Sequence, residues 1–269
     1  MGSNAVAIIA YRAEPDADEL ASLRQCCATL GAHPLFLVCP QSLPVGRYMA
    51  EAERLGARLE AVRFPDHWFR SVRTYNRLML NADFYERFSA FIYLLLYQLD
   101  AWVFSDALES WCARGYSYVG APFFNDRHEL FPFAGNGGFS LRKIPDFLAL
   151  LRGTLPMREY DREFPGVRLP ARTPFRGEIK RWRHWGEMWL CRASSRWYCR
   201  LLREHEDFIY AKAFSLLGKR HMPPPREAAH FAFERCPEQL FAWTDGQLPF
   251  GCHAYRKYGR PFWSRWIRP

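Results

Sequence analysis

Two polar residues interrupt the most apolar run of the chain. FIYLLLYQLDAWVF, from Phe91 to Phe104, carries Gln98 and Asp100 just ahead of Trp102. A carboxylate at that place admits two readings. It is an ordinary turn residue where a strand ends, or it is a ligand, because open α/β sheets bind their ligands at the carboxyl ends of strands. Its oxygens would suit Mg²⁺ or Mn²⁺, which use one or two carboxylates and complete their shell with substrate phosphates.

Three further segments could belong to such a site. FAGNGGFSLRK (residues 133–143) gathers Gly135, Gly137 and Gly138 around Asn136. That leaves backbone open to a bulky ligand, or it makes an Asn-Gly hairpin turn. HEDFIYAKAF (205–214) opens an apolar helical pattern with Glu206 and Asp207. The pair is either charge that complements a helix N-terminus or a general base held by a helix start. LPFGCHAYRKYGRPFW (248–263) sets His253 in an aromatic, basic tail. It is either a nitrogen ligand to an ion at Asp100 or a structural histidine.

These residues need a scaffold, and the chain reads as alternating strands and helices. Strand-like runs cover 5–11, 34–40, 57–64, 91–104, 117–123 and 137–143. Helical spacing covers 19–30, closed by Gly31 as a C-cap, then 49–55, 75–88 and 146–152. Alternation of this kind predicts a mostly parallel sheet with helices on its faces. HMPPPRE (221–227) is a loop rather than a linker, since apolar segments continue on both sides. One domain of 269 residues, 49% hydrophobic, follows.

No run reaches the roughly 18 apolar residues of a membrane span. The start lacks a basic n-region and cleavage site, and Val6 stands where a myristoylation signal wants Ser or Thr. The eight cysteines include no C-x-x-C pair, which predicts buried thiols and a cytosolic protein. Between Arg172 and Arg203, nine basic residues face only Glu178 and Glu187, a local net of +7 out of +9 for the chain. Trp182, Trp185 and Trp189 fall there at helical spacing, with Trp197 beyond. That surface would meet an anionic membrane or ligand, or the tryptophans are core and the arginines a solvated rim. No nucleic-acid motif is present, so nucleic acid is not the expected partner.

YQLDAWVF, WCARGYSYVGAPFF, GNGGFSLRK, EDFIYAKAF and LPFGCHAY occur in an order that resembles a family of glycosyltransferase-like domains of unknown function. The resemblance runs from about Val6 to about Tyr255 and includes SVRTYNRLML (71–80) and FYERF (84–88). Leu99-Asp100 before Trp102-Val103-Phe104 also looks like the D-x-D strand end of GT-A glycosyltransferases. Gln98 departs from it, standing where the first Asp would be.

The resemblance implies an α/β, GT-A-like (Rossmann-like), mostly parallel sheet flanked by helices in a single domain. Residues 5–150 would form the nucleotide-sugar-binding half, and 151–269 the acceptor side and tail. It implies transfer of a sugar from a nucleotide-diphospho-sugar to a hydroxyl acceptor, carbohydrate or lipid-linked, with inversion, in bacterial surface polysaccharide or glycolipid assembly. A divalent metal, Mn²⁺ or Mg²⁺, would sit at Asp100 with help from His253. Asp207 would be the base, with Glu206 holding it or the acceptor. Gly137 and Gly138, with Asn136 and Gln98, would line the donor. Tyr11 and Arg12 would lie against base or ribose, and Asn76 and Arg77 are further donor-site residues. Two rivals remain open: a catalytically silent nucleotide-sugar-binding domain on the same fold, and a membrane-surface interaction protein working through the basic segment.

Overall fold

The computed structural model describes residues 4–155, 182, 186, 189–191, 193–201 and 204–268. Its centre is a six-stranded sheet in the order β3-β2-β1-β4-β9-β6. The strands are β1 (Asn4–Ile9), β2 (Leu35–Pro40), β3 (Leu59–Phe64), β4 (Tyr93–Gln98), β6 (Tyr118–Gly120) and β9 (Phe139–Lys143). β1 to β4 run parallel, and β9 runs against both β4 and β6.

Both faces of the sheet are covered, which is why its strands read as continuous apolar runs. Val6 and Ile8 of β1 face one layer, built on helix Ala17–Leu30 with Leu23, Cys26 and Leu30. Ala5, Ala7 and Ile9 face the other, which includes Leu78, Phe84, Phe147 and Tyr210 from later helices. The first helix begins with a capping box. Asp16 Oδ1 accepts from Glu19 N at 2.8 Å, and Glu19 Oε2 accepts from Asp16 N at 2.9 Å.

Three expectations need correction. The helix expected over 75–88 is two helices, Val72–Met79 and Ala82–Glu86. Asn81 divides them, because its side chain accepts from Asp83 N at 3.1 Å and caps the second. The strand expected over 117–123 splits between β6 and β7 (Pro122–Phe124), and β7 pairs with β8 (Leu130–Ala134) in a separate ribbon. The run from Phe91 to Phe104 also divides: after a turn at Leu99-Asp100 the chain resumes as β5 (Trp102–Val103) in another sheet.

That second sheet has three two-residue strands, β10 (Ala232–Phe233), β11 (Gly251–Cys252) and β5. β10 and β11 are parallel, and β5 opposes β11. The segment before β5 and those after β10 and β11 therefore leave the sheet at one common end. Asp100 lies before β5, Glu234 follows β10, and His253 follows β11.

Most of the segment between Arg172 and Arg203 lies outside the described residues, including Trp185, Arg181, Arg183 and Arg192. Trp182 and Trp189 are described and are 76% and 69% exposed. Cys26, Cys27, Cys39, Cys112, Cys199 and Cys252 are buried thiols. Among the described residues, no helix is long and apolar enough to cross a membrane.

Candidate functional site

Sheet order and register decide where the crevice opens. β1 has β2 on one side and β4 on the other, so the chain reverses its direction of travel across the sheet between them. Ile9 pairs with Gln98, which sets the carboxyl ends of β1 and β4 side by side. Tyr11 and Arg12 follow the first end; Leu99 and Asp100 follow the second. Because β9 is antiparallel, its start also reaches this end, with Tyr97 opposite Phe139. Gly137 and Gly138 arrive there, and Gln98 N donates to Gly138 O at 2.8 Å. The Asn136-Gly137 loop is no hairpin, since β8 and β9 belong to different sheets.

A crevice of about 770 Å³ occupies this end. Tyr11, Arg12, Asn76, Gln98, Asp100, Asn136, Gly137, Gly138, Glu206, Asp207 and His253 all line it. Arg77 is exposed and does not, because the next position on a helix points about 100° away from Asn76. Asn76 Nδ2 lies 3.1 Å from His205 Nδ1 at the crevice edge.

One wall is built on His253. Its Nε2 stands 3.2 Å from Asp100 Oδ1 and 3.1 Å from Gln98 Oε1, and its Nδ1 stands 3.2 Å from Glu234 Oε1. Burial alone would push its pKa down, but Asp100 and Glu234 outweigh burial and lift it to about 10. Burial likewise opposes ionisation of Asp100, yet the His253 charge prevails and holds that carboxyl below its ordinary value. Gln98 is fixed from its other end, donating through Nε2 to Tyr75 OH at 3.2 Å. Gly138 permits the approach: a Cβ there would stand 2.0 Å from His253 Nε2.

The opposite wall is the start of helix Glu206–Leu217. The two acids there have different surroundings. Glu206 turns inward to Arg142, a fully buried guanidinium whose Nη2 lies 3.2 Å from Glu206 Oε1. The same guanidinium donates to Tyr85 OH at 2.8 Å, to Ser140 Oγ at 3.1 Å and to Gly137 O at 3.4 Å. Among the described residues, Asp207 has no ion pair with a cation. Its Oδ1 accepts from Phe208 N at 2.7 Å and its Oδ2 from Gly137 N at 3.2 Å. Burial pushes its pKa up, Glu206 adds to the rise, and it reaches about 7.

Among the described residues no three His, Cys, Asp or Glu side chains are grouped to hold a metal ion. The donor set at Asp100 nevertheless fits a divalent cation with a partial protein shell. One carboxylate oxygen and one imidazole nitrogen converge, and such ions take remaining ligands from a diphosphate. Glu234 on the far nitrogen is the carboxylate that commonly orients a metal-binding histidine. His253 Nε2 would lose its proton to solvent as an ion takes its place.

Arg142 and Glu234 went unseen in the sequence reading, although each carried a signal. Arg142 is a basic residue within the apolar FSLRK strand, and Glu234 ends the apolar run FAF much as Asp100 ends YLLLYQL.

Residues 58–253 match the family described as protein of unknown function (DUF5672). The chain belongs to that family. The DUF5672 match takes in Asp100, the glycine pair, Glu206, Asp207 and Glu234 and ends on His253, leaving Tyr11 and Arg12 outside. No curated protein matches the chain. Among solved structures, the DUF5672 chain is similar to core-mannan synthase A from Aspergillus fumigatus in an Mn/GDP form. Identity is 9% and the TM-score 0.45, over 79% of this chain and 69% of that one. It is similar to the apo glycosyltransferase GlyE of Streptococcus pneumoniae at 13% identity and a TM-score of 0.48, over 94% of this chain and 54% of that one. Mouse xyloside xylosyltransferase 1, also apo, gives 10% and 0.49 over 94% and 97%.

Proposed function

We propose that the protein is a glycosyltransferase that moves a sugar from a nucleotide-diphospho-sugar to a hydroxyl acceptor, with inversion. One arrangement carries this reading. Gly137-Gly138 lies between Asp207 on one side and the Asp100–His253 pair on the other, within a single crevice. The pair suits a charged diphosphate, and Asp207 suits the work of a base. A donor laid over the glycines would have both at its reacting end.

In the transfer, the acceptor oxygen bonds to the anomeric carbon while that carbon's bond to the diphosphate oxygen breaks. The electron pair leaves with the nucleoside diphosphate, and the acceptor proton passes to Asp207. A carboxyl brought to about 7 is a far better base than an ordinary aspartate and is still partly ionised at neutral pH. Glu206, locked to Arg142, is a positioning residue. Asp100 and His253 Nε2 would hold the divalent cation, which when bound supplies positive charge to the leaving diphosphate. Tyr11, Arg12 and Asn76 would hold the nucleotide. The exposed Trp182 and Trp189 within a strongly basic segment support a second element, contact with an anionic membrane that carries a lipid-linked acceptor.

Release of nucleoside diphosphate from nucleotide sugars, with and without acceptor and in Mn²⁺ or EDTA, tests the reaction. Release in Mn²⁺ is expected, with loss in EDTA and in Asp100→Ala. Binding without cleavage under every condition would make the protein a silent nucleotide-sugar-binding domain instead.

A further inference from the structure

A second cavity, of about 460 Å³, adjoins the crevice. The two share Lys257 and Tyr258 in their linings, and the chain passes from one to the other between Glu234 and Arg235. Its charges are balanced within the lining. Arg235 Nη1 and Nη2 both donate to Asp126 Oδ1, at 3.0 and 3.1 Å. The Arg235 guanidinium and the Lys257 ammonium lie 5.0 and 4.9 Å from the Tyr258 ring. Exposed Glu238 and Gln239 add an acid and an amide.

This lining offers donors and acceptors in balance rather than a net charge. An anion entering it meets Asp126 and Glu238, and a cation meets Arg235 and Lys257. A hydroxyl group both donates and accepts, so an uncharged ligand rich in hydroxyls satisfies acids, bases and amide together.

Backbone strain marks the same place independently. Among the described residues, the non-glycine positions with left-handed φ are His128 at 60°, Cys236 at 53°, Asp245 at 53° and Ala254 at 50°. His128 and Cys236 line the second cavity, and Ala254 lines the crevice. Such conformations are held where surrounding structure enforces them, and they concentrate at ligand sites.

We propose that the second cavity seats a neutral saccharide, the acceptor whose hydroxyl reaches the crevice past Tyr258. Its role as acceptor rests on the reading of the crevice as a transfer site, whereas saccharide binding does not. Saturation-transfer NMR with methyl glucoside, methyl galactoside, methyl rhamnoside and methyl glucuronide, each at millimolar concentration, tests it on the full chain. At least one neutral glycoside should bind. Glu238→Ala and Gln239→Ala should each weaken that binding by up to about tenfold, the worth of one good hydrogen bond. Asp100→Ala should leave it intact, and the two cavity variants should leave acceptor-free cleavage of nucleotide sugar intact. Absence of neutral-glycoside binding, binding of the glucuronide alone, or binding indifferent to both cavity variants overturns the proposal. Glycoside binding that depends on Glu238 and Gln239 in a protein that ignores nucleotide sugars keeps the saccharide site and overturns its role as acceptor seat.

Discussion

Asp207 Oδ2 accepts the backbone N–H of Gly137 at 3.2 Å, across 70 positions of sequence. The carboxylate at the helix start is thus tied to the glycine pair that leads into β9. Its position relative to Asp100 and His253 is set by backbone rather than by a flexible side chain.

Asp207→Asn is expected to lower kcat by about 10² to 10⁴-fold, the usual worth of a positioned base, while the fold persists. In the wild type, kcat should rise with pH through a limb near 7, where Asp207 ionises. That limb should be absent from the residual activity of Asp207→Asn. Stability moves the opposite way. The folded pKa lies above the unfolded one, so ionising Asp207 costs folding free energy as pH rises from about 4 through 7. Asp207→Asn should raise Tm at about pH 8 by roughly 2 °C or more, and should do little at about pH 4. Equal Tm changes at both pH values would show that the carboxyl is not perturbed.

Arg142→Met should destabilise the protein by about 3–5 kcal/mol, because it leaves the Glu206 carboxylate buried without a partner. Arg142→Met with Glu206→Gln should recover a large part of that loss. Urea unfolding of the single and double variants measures the coupling.

Gly138→Ala places a methyl group where His253 Nε2 now stands, 2.0 Å away. The imidazole must swing off Asp100, and displacement by about 1 Å at a reacting site costs roughly 10²-fold in rate. Loss of the Mn²⁺-dependent rise in Tm with nucleoside diphosphate should accompany it. Gly46→Ala, where an added Cβ meets nothing within 4 Å and which does not itself line the crevice, is the control and should change neither.

Liposome co-sedimentation tests the basic segment. Binding should require anionic lipid, weaken with salt and fall when Arg181, Arg183 and Arg192 are neutralised, at about 1 kcal/mol for each charge. Trp182→Ala and Trp189→Ala should reduce it further. Salt-insensitive partitioning, or none, would leave the tryptophans without that role.

The end of β4 was legible in the sequence because a buried parallel strand announces itself as an apolar run, so the polar residues closing it stand out. The acidic pair before a helical pattern was legible for the same reason. The direction of β9 was not. FSLRK reads alike in either orientation, yet only the antiparallel one delivers Gly137-Gly138 to Gln98. The three-stranded sheet was invisible, since two-residue strands have no periodicity, and with it went Glu234. Arg142 was hidden because its partners, Tyr85 and Glu206, lie 57 and 64 positions away.

Those separations bear on the order in which the molecule assembles. The contacts that close the crevice join residues 70 and 155 positions apart, Gly137 with Asp207 and Gln98 with His253. β1 to β3 and their helices, by contrast, pair within a short stretch of chain. Closing a long loop costs entropy before its contacts repay it. Refolding should therefore restore helix and sheet signals first and nucleotide-diphosphate binding last, with stopped-flow circular dichroism running ahead of ligand fluorescence. A chain caught between the two would look native by its backbone and still be unable to hold its ligand.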